Sequence, residues 1–249
     1  MTAKPADLRR DDETLDSFYR GRVRVLQKKT GYRFSVDAPL LADFVRTRAE
    51  DEALDIGTGS GVIALLLSAK PVRRITALEV QPGLADLARR NVELNGLGGR
   101  IEVVEGDLRT YEPGRAFDLV FSNPPYIRQA AGPLSRSGEK SAAKHELHGN
   151  IADIMKRTAE WLAPGGRASF VYTEARRRDL LAAAAESGLA VRRTRFVHPR
   201  ACAPPNLFLV ELVRASEAGE GAVAEEPPLV LFAPGGRYTP EAEAVFAGP

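Results

Sequence analysis

The run Ala53-Leu54-Asp55-Ile56-Gly57-Thr58-Gly59-Ser60-Gly61, followed directly by Val62-Ile63-Ala64-Leu65-Leu66-Leu67, constrains this chain more than any other stretch. Its first part is apolar and short enough for a buried strand, and its last part suits a helix. Glycines alternate through the middle. Glycine belongs where the backbone turns sharply and where a ligand must approach without a Cβ in the way. Strand, glycine loop and helix in that order open an α/β sheet. The dinucleotide fingerprint G-x-G-x-x-G is the obvious rival, but counted from Gly57 its third glycine falls at Val62, so the match fails. The pattern is D-x-G-x-G-x-G instead. Asp55 would repel a pyrophosphate and attract a cation, a hydroxyl or an ammonium donor.

Three further strands follow, each with polar groups at its end. Ile75–Val80 ends near Glu79, about 20 residues after the loop, where a carboxylate suits a ribose diol. Ile101–Val104 leads to Asp107, which could accept from an adenine amino group. Phe117–Phe121 runs into Asn123-Pro124-Pro125-Tyr126. Two prolines cannot continue a parallel strand, because neither has an N–H to donate. The chain must leave the sheet there in an extended turn. That turn offers the Asn123 side-chain oxygen, the Pro124 carbonyl and the Tyr126 ring, which together suit a planar group with an exocyclic NH2. Acidic and amide groups at the C-terminal ends of successive parallel strands form a ligand edge. S-adenosylmethionine, with a sulfonium, an amino group and one carboxylate, fits the acidic part of it.

The order and spacing of DIGTGSG, LEV, EGDL and FSNPPY resemble the class I S-adenosylmethionine-dependent methyltransferases over roughly residues 35–213. The upstream segment Gly31 to Leu41, with Phe34-Ser35-Val36-Asp37-Ala38, is similar to that of bacterial adenine-N6 methyltransferases acting on valine tRNA. The tail from Pro227 through Glu241 resembles theirs as well. The chain departs from that family at Ile127, where relatives often carry a second aromatic. The resemblance implies a Rossmann-like α/β fold with a mostly parallel seven-stranded sheet, helices on both faces and a reversed final strand. It implies that S-adenosyl-L-methionine is held by Ser35, Asp37, Asp55, Gly57, Thr58, Gly59, Gly61, Glu79, Val80, Gln81, Asp107, Leu108 and Asn123. It implies methyl transfer at Asn123, Pro124, Pro125 and Tyr126 to the N6 atom of an adenine in tRNA, next to the anticodon. The alternative is a glutamine N5-methyltransferase acting on release factors, or another rRNA or DNA base amino-methyltransferase. Glutamine enzymes usually carry a sizeable helical domain before the glycine loop, and only about 50 residues precede it here.

The chain has 249 residues, one cysteine (Cys202) and a net charge of +2. A lone cysteine excludes an intrachain disulfide, and no metal cluster is expected. No apolar stretch reaches the length of a membrane span, and no signal-peptide core is present, so a cytoplasmic protein is expected. Residues 1–20 read as a disordered tail and 21–214 as the methyltransferase domain. Within it, 21–50 read as a hairpin (Val23–Leu26 with Tyr32–Phe34) and a helix. Residues 215–226 read as a flexible linker and 227–249 as a C-terminal tail. Basic residues cluster at 20–33, at Arg128, Arg136, Lys140 and Lys144 after the Asn123 turn, and at 192–200. The middle cluster is the candidate RNA contact. His145 and Glu146 are more suited to substrate-loop packing than to acid–base work.

Overall fold

The computed structural model describes residues 8–30, 36–125, 150–219 and 221–249. Its centre is an α/β sheet. Strands β3 (Glu52–Ile56), β4 (Arg74–Glu79), β5 (Ile101–Glu105), β6 (Phe117–Ser122), β7 (Leu162–Thr173), β8 (Leu189–Arg200) and β9 (Leu207–Arg214) lie in the order β5-β4-β3-β6-β7-β9-β8. All run parallel except β9, which is antiparallel to both of its neighbours. The reversed final strand is therefore present. Helices α1 (Asp37–Phe44), α2 (Val62–Leu67), α3 (Pro82–Leu94), α4 (Ile151–Trp161), α5 (Arg177–Glu186) and α6 (Pro240–Ala247) complete the order. The sheet's central strands are apolar on both sides because two cores cover them. One core gathers α1, α2 and α6 with Leu119, Phe121 and Val171. The other gathers α4 and α5 with Leu54, Val120 and Phe170.

β2 (Val23–Lys28) pairs antiparallel with the upstream β1 (Glu13–Phe18), and the expected partner strand at 32–34 lies outside the described residues. The segment expected to be a disordered tail thus includes a strand. Its alternation is weak, since Leu15 stays 40% exposed. Charge pairing holds it instead. Arg90 on α3 forms two hydrogen bonds to Glu13, both 2.8 Å, and Lys28 lies 3.2 Å from the same carboxylate. Burial works to raise the Glu13 carboxyl, but these donors outweigh it and pull it down to about 2.

The C-terminal tail docks on the core. β10 (Ala224–Glu225) and β11 (Leu229–Phe232) run parallel to β8 and extend the sheet to nine strands among the described residues. Pro227-Pro228 separates the two, as expected of residues that cannot donate to a ladder. The stretch expected as a linker therefore contains β10 and Glu226. Arg193 donates to Glu226 (2.8 Å), to Glu211 (2.9 Å) and to the Phe44 carbonyl (2.8 Å), with its guanidinium over the Phe44 ring. Arg195 pairs with Glu241 and donates to the Pro227 carbonyl. These two arginines of the 192–200 cluster hold the tail and are engaged by protein partners. Among the described residues, no helix is long and apolar enough to cross a membrane.

Candidate active site

The parallel strands β5, β4, β3 and β6 all end at one edge, and the loops after them carry the expected polar groups. After β3, the glycine loop turns back under β4: the Gly57 and Thr58 amides both donate to the Leu78 carbonyl. Gly57, Gly59 and Gly61 have φ of 70°, 61° and 82°, left-handed values that other residues adopt only at a cost. A Cβ on Gly57 would meet nothing within 4 Å, so the loop faces open space there.

Glu79 at the end of β4 is buried and pins this loop. Its Oε2 accepts from the Gly59 amide (2.8 Å) and its Oε1 from the Gln81 amide (2.9 Å). Asp55 lies beneath the loop, wholly buried. Its Oδ2 accepts from the Thr58 hydroxyl (2.6 Å), while Oδ1 has no partner among the described residues. Burial pushes the Asp55 carboxyl up to about 7. The Thr58 hydroxyl opposes the rise, the neighbouring Glu79 charge adds to it, and the Ala64 backbone amide opposes it more weakly. A buried carboxylate with an orphaned oxygen, next to a second carboxylate and below a glycine-rich loop, suits a cationic ligand that bears an amine. The residues present therefore fit the methyl donor expected from the sequence.

Asp107, after β5, accepts from the backbone amide (2.9 Å) and the Nε (3.0 Å) of Arg109. Leu108 is buried against the second core. Val80 is half-buried, Gln81 exposed, and Asp37 buried in the first turn of α1. After β6, Asn123 is half-buried, Pro124 buried and Pro125 exposed. The prolines border a small cavity of about 40 Å³ with Ile154, Tyr172 and Arg176. Ser35, Tyr126, Arg128, Arg136, Lys140 and Lys144, together with His145 and Glu146, lie outside the described residues.

Two positioning residues escaped the sequence reading. The Ser122 hydroxyl donates to the Ile56 carbonyl (2.6 Å), tying the start of the Asn123 turn to the residue before Gly57. Asn91, wholly buried on α3, donates to the carbonyls of Leu26 and Ser60 (both 2.9 Å) and accepts from the Leu26 amide (2.6 Å). It locks the N-terminal hairpin to the glycine loop. A lone amide among Ala88, Val92 and Leu87 was the available signal.

Known proteins agree with this architecture. A curated relative from Tolumonas auensis, named tRNA1(Val) (adenine(37)-N6)-methyltransferase, is 28% identical over 227 residues, which cover 90% of this chain and 92% of the relative. Another of the same name from Parabacteroides distasonis is 28% identical over 193 residues, 77% of this chain and 81% of that one. Among solved structures, a predicted O-methyltransferase from Agrobacterium tumefaciens superposes with a TM-score of 0.65 at 23% identity, covering 84% of this chain and 94% of its own. A ribosomal protein L11 methylase from Lactobacillus delbrueckii superposes at 0.52 and 16% identity, covering 71% and 76%. These likenesses show the shared fold. The profile of the methyltransferase small domain matches residues 33–183, more than half of the chain, and the chain belongs to that methyltransferase family.

Proposed function

We propose that this protein is an S-adenosyl-L-methionine-dependent methyltransferase that modifies the N6 atom of an adenine in tRNA, next to the anticodon. One observation carries the reading: β5, β4, β3 and β6 bring Asp107, Glu79, Asp55 and the Asn123-Pro124 turn to one sheet edge. The names of the relatives supply the substrate class.

When bound, S-adenosylmethionine supplies a methyl group made electrophilic by its sulfonium. Asp55, Glu79 and Asp107 would hold it, with the glycine loop giving backbone access. The adenine amino nitrogen is a poor nucleophile because its lone pair delocalises into the ring. Acceptors at Asn123 Oδ1 and the Pro124 carbonyl would hold both N–H bonds and favour a more pyramidal nitrogen as positive charge develops. Stabilisation that grows toward the transition state raises turnover. The double proline fixes the direction in which these acceptors point, and the Ser122 bond to Ile56 fixes their place relative to Gly57. In-line positioning supplies much of the remaining rate. No strong general base is needed, because the methylated cationic nitrogen loses its proton readily to water. Tyr126 would stack on a base turned out of an RNA loop, and Arg128, Arg136, Lys140 and Lys144 would meet its phosphates.

The test is Asn123→Ala, assayed with labelled donor and total tRNA from a strain lacking the gene. We expect turnover at saturating donor to fall by on the order of a hundredfold or more, as for loss of one transition-state donor or acceptor elsewhere, with donor affinity changed far less. Normal turnover with lost donor affinity would refute the role.

A further inference from the structure

A second, larger cavity of about 670 Å³ opens at the same edge of the sheet. One wall is the turn between β1 and β2, with Phe18, Tyr19 and Arg20; the other is the docked tail, with Tyr238, Glu243 and Phe246. Val36 and Pro39 at the start of α1 form the floor. Its position follows from the topology. β11 runs parallel to β8, so Phe232 ends at the edge where β3 and β6 end. α1 ends at the opposite edge, where the Phe44 carbonyl meets Arg193 near the start of β8, so its first turn also lies on the ligand edge. The volume lies within the roughly 300–1,000 Å³ of small-molecule sites.

Three features give this cavity its chemistry. The first is a fixed ring. Tyr238 stacks on Phe232 at 4.9 Å and 19°, and Phe246 abuts it edge-on at 4.7 Å. Tyr238 nevertheless stays 37% exposed, one of three large exposed apolar side chains among the described residues. The second is backbone strain. Tyr19 and Arg20 have φ of 51° and 57°, the two left-handed non-glycine residues among those described. Strain of this kind gathers at functional sites, and glycine would remove it at Arg20. The turn instead carries a guanidinium at the mouth of the cavity. The third is an acceptor, the exposed Glu243 carboxylate on α6. A ring face, a cation and an acceptor together suit an unpaired nucleotide: base on Tyr238, base N–H groups to Glu243, phosphate to Arg20.

We propose that this cavity binds an unpaired nucleobase flanking the methyl-acceptor adenine in the same RNA, and so contributes to choosing which adenine is modified. The proposal rests on the RNA reading above. Its test uses hairpin oligoribonucleotides with 2-aminopurine at one loop position at a time, alongside steady-state methylation of tRNA. In the full-length protein, one loop position other than the acceptor should be quenched on binding. Tyr238→Ala should abolish that quenching and raise the KM for tRNA by on the order of tenfold, the scale of one lost base–aromatic stack, with kcat held within about twofold. Tyr238→Phe should keep both readouts. Arg20→Gly, which relieves the left-handed backbone at that position, should raise KM in the same way. Unchanged quenching and KM in Tyr238→Ala and Arg20→Gly would overturn the cavity's role while leaving methyl transfer to tRNA intact. Quenching that depends on Tyr238 without methylation of any RNA would keep the cavity and remove the reading it rests on.

Discussion

Asp55 shows how one residue joins stability to ligand binding. Its carboxyl is raised from 3.8 to about 7 in the folded chain. Between those values the folded state holds a proton that the unfolded state has lost, so this group's contribution to stability falls as pH rises from about 4 to about 7 and is level above. A cationic ligand prefers the ionised form and would be bound more tightly as pH rises through the same window. We therefore expect the donor affinity of the wild type, measured by calorimetry, to improve between about pH 6 and pH 8. Asp55→Asn should show no such slope and bind on the order of tenfold more weakly at the upper pH, the scale of one charge-assisted hydrogen bond. A wild-type slope retained in Asp55→Asn would place the titration elsewhere. The position of Asp55 before the glycines was legible in the sequence. Its complete burial was not, because burial depends on the loop folding over it. Nor could spacing show that Arg109 reaches back to Asp107, since a side chain's direction is set by the turn it sits on.

At the scale of elements, the α/β alternation was legible because it rests on period and on punctuation by glycine and proline. Helices α3 (Pro82–Leu94) and α5 (Arg177–Glu186) take their places in that alternation. The strand at 23–26 was legible and appears within β2, but β1 was not, because it is held by Glu13 and Arg90 across 77 positions and not by an apolar stripe. Asn91 couples that hairpin to the glycine loop through buried hydrogen bonds. Asn91→Ala leaves the Leu26 amide and carbonyl without this partner, at a cost of about 1–3 kcal/mol. Hydrogen exchange should show β2 and the glycine loop losing protection together. Loss confined to β2 would mean that the two are not coupled through this side chain.

Over the whole molecule, both chain ends close on α1. The hairpin tip packs at its start, and the tail is clamped near its end by Arg193, which joins Phe44, Glu211 and Glu226. A lone arginine in a basic run looks like surface, and only its pairing shows that it is buried. The same closure brings Tyr238 and Arg20 to the edge where Asn123 stands, so the ends of the chain frame the site that the glycine loop begins. The substrate is the claim that topology alone carries least, and it is also the simplest to measure. Purified protein is given labelled methyl donor with total tRNA from a strain lacking the gene, and release factor in parallel, and the labelled product is digested and identified. Label recovered as N6-methyladenosine from tRNA is the expected result. Label in protein, or in a different nucleoside, would contradict it.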